Sequence, residues 1–149
     1  MRREDHILNN ESAKYVLEVA SNVGRYKNFT GTMSYKGNKG EVKNATFELK
    51  DGKVIWDDGI WISGFWEDGE WSNGTWISGE WYEGTWMNGT WKSGTKYGGM
   101  WLNGTWKSGN FWGGTWSDGI WLDGTWNRGV WIKGDWRDGH WLGEKNDHP

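Results

Sequence analysis

WSNGTWISGEWYEGTWMNGT, residues 71–90, is one five-residue phrase written four times: Trp, two variable residues, Gly, and one more. Extended in both directions, the phrase begins at Trp56 and runs to about Leu142. Stepping by five from Trp56 to Trp141 visits eighteen slots, of which sixteen hold Trp; the exceptions are Lys96 and Phe111. Gly stands three residues after each slot from Gly59 to Gly139 without a gap. Ahead of it comes a turn former such as Asp58, Ser63, Asn73, Asn88 or Asp118. Gly reaches positive φ without steric cost, so Asp-Gly, Asn-Gly and Ser-Gly are strong turn signals. The chain therefore turns a corner every five residues and presents one Trp per side.

Such a pattern builds either an antiparallel meander or a solenoid. Three-residue strands are short for a meander, whereas a solenoid pairs each short side with the side one coil away. A step of twenty collects Ile62, Tyr82, Leu102, Leu122 and Leu142, all apolar, and sets threonines such as Thr75, Thr95 and Thr115 in a column. In-register strands favour such columns on a solvated face. A step of fifteen collects Tyr82, Tyr97 and Trp112, but that column starts from Glu67 and ends in Asn127. Twenty is the better period, which predicts a mainly β, four-sided solenoid with a Trp core. Its apolar outer side (Ile62, Met100, Leu102, Ile120, Leu122, Leu142) would need a cover, either the N-terminal helix or an intermolecular contact.

Residues 1–55 read as a small α/β cap on the array, and residues 143–149 as a polar tail. Ala13, Val16, Leu17 and Ala20 share one helical face, which predicts a helix over Glu11–Val23, capped by Asn9 or Asn10 and ended by Gly24. Phe29, Gly31, Met33 and Tyr35 alternate, as do Ala45, Phe47 and Leu49, and both runs predict strands. Asp51-Gly52 is a tight hairpin turn ahead of Lys53.

Written as G-x-W-x-x, the unit resembles the pentapeptide-repeat family, whose small-x-large-x-x unit implies a square right-handed β-helix with small and large residues inward. The resemblance covers the array alone. It departs from the family by placing Trp in the large slot and Gly in the small one, two changes that compensate in volume. Stretches such as Tyr82-Glu83-Gly84-Thr85-Trp86 also resemble MORN-type repeats, which implies an antiparallel hairpin array as the alternative. W-x-x-G-x arrays are similar, too, to Trp-rich repeat proteins of tailed phages.

The function classes narrow quickly. The 149 residues contain no cysteine, which excludes disulfides and thiolate metal sites and suits a reducing interior. A net charge of −3 argues against direct nucleic-acid binding. No apolar run approaches a membrane span and Met1–Asn10 lacks a signal-peptide core, so the expected location is cytoplasmic, including a host cytoplasm. His6, His140 and His148 are the only histidines, and no nucleophile elbow, phosphate loop or metal-ligand spacing is present. No catalytic residue, metal or cofactor is expected. The Trp ladder could stack sugars or nucleobases, but one Trp per side at every step is a core period.

Two breaks stand out. Lys96-Tyr97-Gly98-Gly99 and Phe111-Trp112-Gly113-Gly114 each put an aromatic after the core slot and then two glycines. Tyr97 and Trp112, with Tyr82, Leu102, Leu122 and Leu142, are candidate binding residues, because exposed aromatics dominate interfaces. Asp57, Asp58, Glu67, Asp68, Glu70, Glu80 and Glu83 form an acidic stretch with no Lys or Arg among them. The pentapeptide-repeat resemblance implies DNA mimicry for such a surface; ordinary solvation is the plainer reading. The expected function is a non-enzymatic protein-binding module, a homo-oligomer and an inhibitor of phage type that occludes a host protein. The alternatives are a DNA-mimic inhibitor, an aromatic-face binder of nucleotide or sugar, and a structural virion component.

Overall fold

A computed structural model describes His6–Ile7, Tyr15–Glu18 and all residues from 23 to 149. The short strands β1 (His6–Ile7) and β2 (Tyr15–Glu18) lie parallel to β3 (Val23–Tyr35). The helix expected over Glu11–Val23 is corrected where it is described. Tyr15–Glu18 is extended, with Val16 paired to Thr32 and Leu17 to Met33, and Val23 already belongs to β3. Ladder pairing has overridden a helical periodicity of only four residues. The rest of the helical face, Ala13 and Ala20, lies outside the described residues.

β3 and β4 (Asn38–Lys50) form an antiparallel pair, and β4 pairs in turn with β5 (Lys53–Trp66) around the expected Asp51-Gly52 turn. The alternating residues bury as read: Phe29, Met33, Tyr35, Ala45, Phe47 and Leu49 are all inside. β5 is at once the last strand of this sheet and the first coil of the array. Its Trp56, Trp61 and Trp66 begin three inner columns, and β4 follows it from Lys50 opposite Lys53 to Lys39 opposite Phe65. Buried Asn38 secures the junction: its side-chain oxygen accepts from the Glu67 amide (2.9 Å) and its amide donates to the Tyr35 carbonyl (3.1 Å).

From Trp56 onward the chain is a parallel β-solenoid. After β6 (Gly69–Trp71), each side contributes a two-residue strand, from β7 (Thr75–Trp76) to β20 (His140–Trp141). Pairing joins residues fifteen apart throughout: Trp61 with Trp76, Trp76 with Trp91, Trp91 with Trp106, Trp106 with Trp121. The twenty-residue, four-sided coil is therefore corrected to a fifteen-residue coil with three sides, and parallel pairing excludes the hairpin alternative for the array. Eighteen slots make six coils, a rod roughly 25–30 Å long at about 4.8 Å per coil.

Each side alternates strictly. The slot residue points inward, and the residues before and after it face outward or lie half-buried. On a typical side, the Thr90 amide donates to the Gly74 carbonyl (2.9 Å) and the Lys92 amide to the Trp76 carbonyl (2.8 Å). Three indoles fill each coil except the third and fourth, where Lys96 and Phe111 take one place. Trp56, Trp61 and Trp66 meet edge to face, centroids 5.6–6.5 Å apart and planes 68–75° from one another. Along each column indoles stack face to face, as for Trp71 on Trp86 (4.8 Å, 7°). The indole N–H groups of coils one to five are buried without hydrogen-bond partners. Each such N–H costs about 1 kcal/mol or more. Burying about 200 Å² of each ring contributes about 5 kcal/mol, as an upper bound, and outweighs that cost.

The corners explain the invariance of Gly. Gly104 has φ of +118°, and a Cβ there would drive into the Gly89 carbonyl oxygen while lying 3.2 Å from the Trp86 indole nitrogen. No side-chain motion relieves a backbone clash in a conformation that L-residues already disfavour. Gly104→Ala should therefore lower stability by more than about 2 kcal/mol in chemical denaturation, whereas Asn103→Ala, exposed beside it, should change it by less than about 1 kcal/mol.

Candidate functional site

The fifteen-residue coil sorts the candidate residues anew. Naming the sides by their first Trp, the Trp56 side carries Leu102 and Met100, the Trp61 side carries Ile62, Ile120 and Leu122, and the Trp66 side carries Leu142. The single apolar side expected from the twenty-residue period does not exist. Leu102 and Leu122 are half-buried on different sides, and Leu142 is exposed in the last coil.

Tyr82, Tyr97 and Trp112, by contrast, come together. They follow Trp81, Lys96 and Phe111 on consecutive coils of the Trp66 side, where the Tyr97 amide donates to the Trp81 carbonyl and the Trp112 amide to the Lys96 carbonyl (2.7 Å each). Phe65 joins them from the first coil: it stacks on Tyr82 (4.3 Å), and Tyr82 stacks on Tyr97 (4.7 Å). Tyr97 and Trp112 are 42% and 46% exposed. Phe65 was missed because the twenty-residue step files it among threonines. The Tyr82 hydroxyl donates to Glu80 (3.0 Å), and this bond to a carboxylate raises the phenol pKa above its ordinary value. Beside the upper rungs, Gly98 and Gly113 stand where most other corners carry Asp, Asn or Ser. A Cβ on Gly113 would lie 2.9 Å from the Tyr97 carbonyl, so the corner stays bare and the rings stand clear of it.

The acidic stretch is divided. Asp57 and Glu70 belong to the Trp56 side, Glu67 and Glu80 to the Trp66 side, and Asp58, Asp68 and Glu83 to corners. Asp58 and Asp68 each accept a hydrogen bond from the following glycine amide (2.9 and 2.8 Å), and Asp68 also lies 3.8 Å from the Lys53 ammonium. Turn formation thus explains part of this acidity. Among the described residues, no group of three or more His, Cys, Asp or Glu side chains is placed to hold a metal, and no helix is long and apolar enough to cross a membrane.

Directly beneath the aromatic rungs sits the one charged residue buried in the core among the described residues. Lys96 occupies a Trp slot with no solvent exposure, between Trp81 and Phe111 in its column. Its ammonium donates to the Gly98 carbonyl (2.6 Å) and lies 4.8 Å from the centre of the Phe111 ring. Burial pushes its pKa down to about 7, against the opposing pull of the Glu83 carboxylate. Lys96 was visible in the sequence only as a missing Trp; that it is fully buried follows from the coil.

The titration has a defined sign. The unfolded chain holds the Lys96 proton up to its ordinary pKa near 10.5, whereas the folded chain releases it near 7. Between these values the unfolded state binds more protons, so stability rises with pH, and the burden is greatest below pH 7. Lys96→Met should therefore stabilise the protein at pH 7 by on the order of 3 kcal/mol. In denaturant titrations, that advantage over wild type should shrink steadily towards pH 10.5.

No protein-family model, no curated protein and no solved structure matches this chain, so the site stands on its own geometry.

Proposed function

We infer that the chain is a non-enzymatic protein-binding module that engages its partner through the aromatic column of the Trp66 side. The observation that carries this reading is the stacked run of Phe65, Tyr82 and Tyr97 continued by Trp112 on the next coil, two of its rings more than 40% exposed. A free aromatic run on a rigid ladder costs little entropy to immobilise, and Tyr and Trp are the residues that dominate protein interfaces. Neighbouring columns do not offer this: Lys92 and Lys107 face outward at the same levels of the Trp61 side. The rod acts by occupying a surface, which is how an inhibitor of phage type would block a host protein. The five-residue unit supports kinship with pentapeptide-repeat proteins, and β3 and β4 act as the cap of its first coil. An intracellular setting suits a chain without cysteine.

The test is capture from the lysate of the native host, followed by affinity measurement with the purified partner. Tyr97→Ala combined with Trp112→Ala should weaken binding at least ~30-fold, the loss of about 2 kcal/mol typical of central aromatic anchors. Leu122→Ala, on another side, should leave it unchanged. A partner that ignores the double variant but dissociates steeply with salt would replace this reading with mimicry of DNA by the carboxylates.

A further inference from the structure

At the corner that follows Trp56, three strands bend together. Lys27 and Asn28 on β3 are exposed in succession, and so are Asp57 and Asp58 on β5. Between these strands β4 offers only Thr46, set between buried Ala45 and Phe47, and the register slips on both sides of it. The backbone follows the bend at Asn28 and Asn44, with φ of +52° and +50°, values that asparagine tolerates better than most residues. The Asn28 amide donates to the Thr46 hydroxyl (3.3 Å) and holds β3 to β4 there. One short side chain of β4 thus faces two residues on each neighbouring strand, and a cleft of about 280 Å³ opens at this place.

The walls of the cleft carry opposite charge. Arg25 and Lys27 stand on β3 and Asp57 on β5, while Ser72 lies beside Asp57 on the second coil, its amide donating to the Trp56 carbonyl (2.8 Å). Glu48, on β4 between them, has its carboxylate 3.9 Å from the Arg25 guanidinium. Lys27 and Asp57 have no such partner: among the described residues neither side chain enters an ion pair or a hydrogen bond. β4 keeps them apart, since two strand spacings come to about 10 Å. Between the charges the lining is apolar, from half-buried Ile55 and buried Phe47. The repeat does not dictate the acid. Later residues of the Asp57 column are Ser72, Met87, Leu102, Ser117 and Ile132, none of them charged.

We propose that this cleft binds a small zwitterion of the α-amino acid class, its carboxylate held by Lys27 with Arg25 and its ammonium by Asp57 with Ser72. Charge decides the occupant. A plain anion would meet the two cations of β3 but also the carboxylates of Glu48 and Asp57, and a plain cation would meet the reverse. A ligand with both charges on a short skeleton satisfies both walls, through charge-assisted hydrogen bonds at each end. The cleft stands at the small end of ligand sites, which begin near ~300 Å³, and its Ile55 and Phe47 lining suits an aliphatic side chain. Its groups stand on paired strands, which hold them at a fixed separation.

The cleft belongs to the Trp56 side and the aromatic column to the Trp66 side, so the two readings are tested separately. The probe is L-leucine, titrated into the full chain and followed by amide NMR. Saturable shifts centred on Thr46, Asp57 and Ser72 are expected. Leucinamide, which lacks the carboxylate, and 4-methylpentanoate, which lacks the ammonium, should each bind at least ~10-fold more weakly than leucine. Lys27→Met should weaken leucine at least ~10-fold and leave leucinamide unchanged. Asp57→Asn should weaken leucine to the same degree and leave 4-methylpentanoate unchanged or tighter. Both side chains are exposed, so circular dichroism should not change. Tyr97→Ala combined with Trp112→Ala should bind leucine as the wild type does. Absence of saturable shifts at the three amides, equal binding of the three probes, or a leucine affinity indifferent to both charge substitutions would overturn the proposal.

Discussion

Face-to-face stacking of core rings fifteen residues apart is the contact on which the rest of the rod depends. Along the three columns indole centroids lie 4.6–5.1 Å apart with planes within 7° of parallel. That spacing is also the strand-to-strand distance of a parallel ladder, so side-chain and backbone repeats coincide. Stacking at this distance allows nothing between coils, which is why the corner must be Gly. It also keeps every indole at one height, which brings the three rings of a coil into mutual edge-to-face contact. Ladder, corner and core are one constraint seen from three places.

The third column shows what happens when the constraint is relaxed. At Lys96 and Phe111 two consecutive indoles are absent, and the two rungs between Trp81 and Trp126 are filled by an alkyl ammonium and a phenyl ring. The same two units place Tyr97 and Trp112 outside and strip their corners to Gly98 and Gly113. Core aromaticity falls where surface aromaticity rises, within the same ten residues. A buried ammonium lowers stability where a Trp would raise it. Departures of this kind concentrate at sites selected for something other than folding.

Much of this was legible in the residues. The corner every five residues, the inward Trp, the Asp51-Gly52 turn and the alternating strands before it each rest on local chemistry, and local chemistry is what a sequence displays. The number of sides is not local. Steps of fifteen and of twenty land on the same slots of the same unit, so Trp and Gly cannot tell three sides from four, and only surface residues that no packing constrains differ between the two periods. Apolar Ile62, Leu102 and Leu122 then suggested a face that the fold distributes over two sides. The deciding quantity is volume. Three indoles meeting at 68–75° close the cross-section, whereas a fourth would open a void at the axis, and interiors are close-packed. For the same reason the aromatic column of Tyr82, Tyr97 and Trp112 is not legible from the unit alone, since it emerges only at the fifteen-residue step.

A coil of three equal sides has a consequence for how such a chain can change length. Units that carry Trp and Gly can be gained or lost in any number without disturbing an inner slot, since each offers the same inward pair. Only multiples of three, however, restore the outer surface. A single added unit advances all that follows by one side, about a third of a turn, and carries an outward residue from the Trp66 side to the Trp56 side. The core is indifferent to such a shift and the exterior is not. A fold of this type can thus rotate one half of its surface against the other by slippage of one unit, with its stability almost untouched.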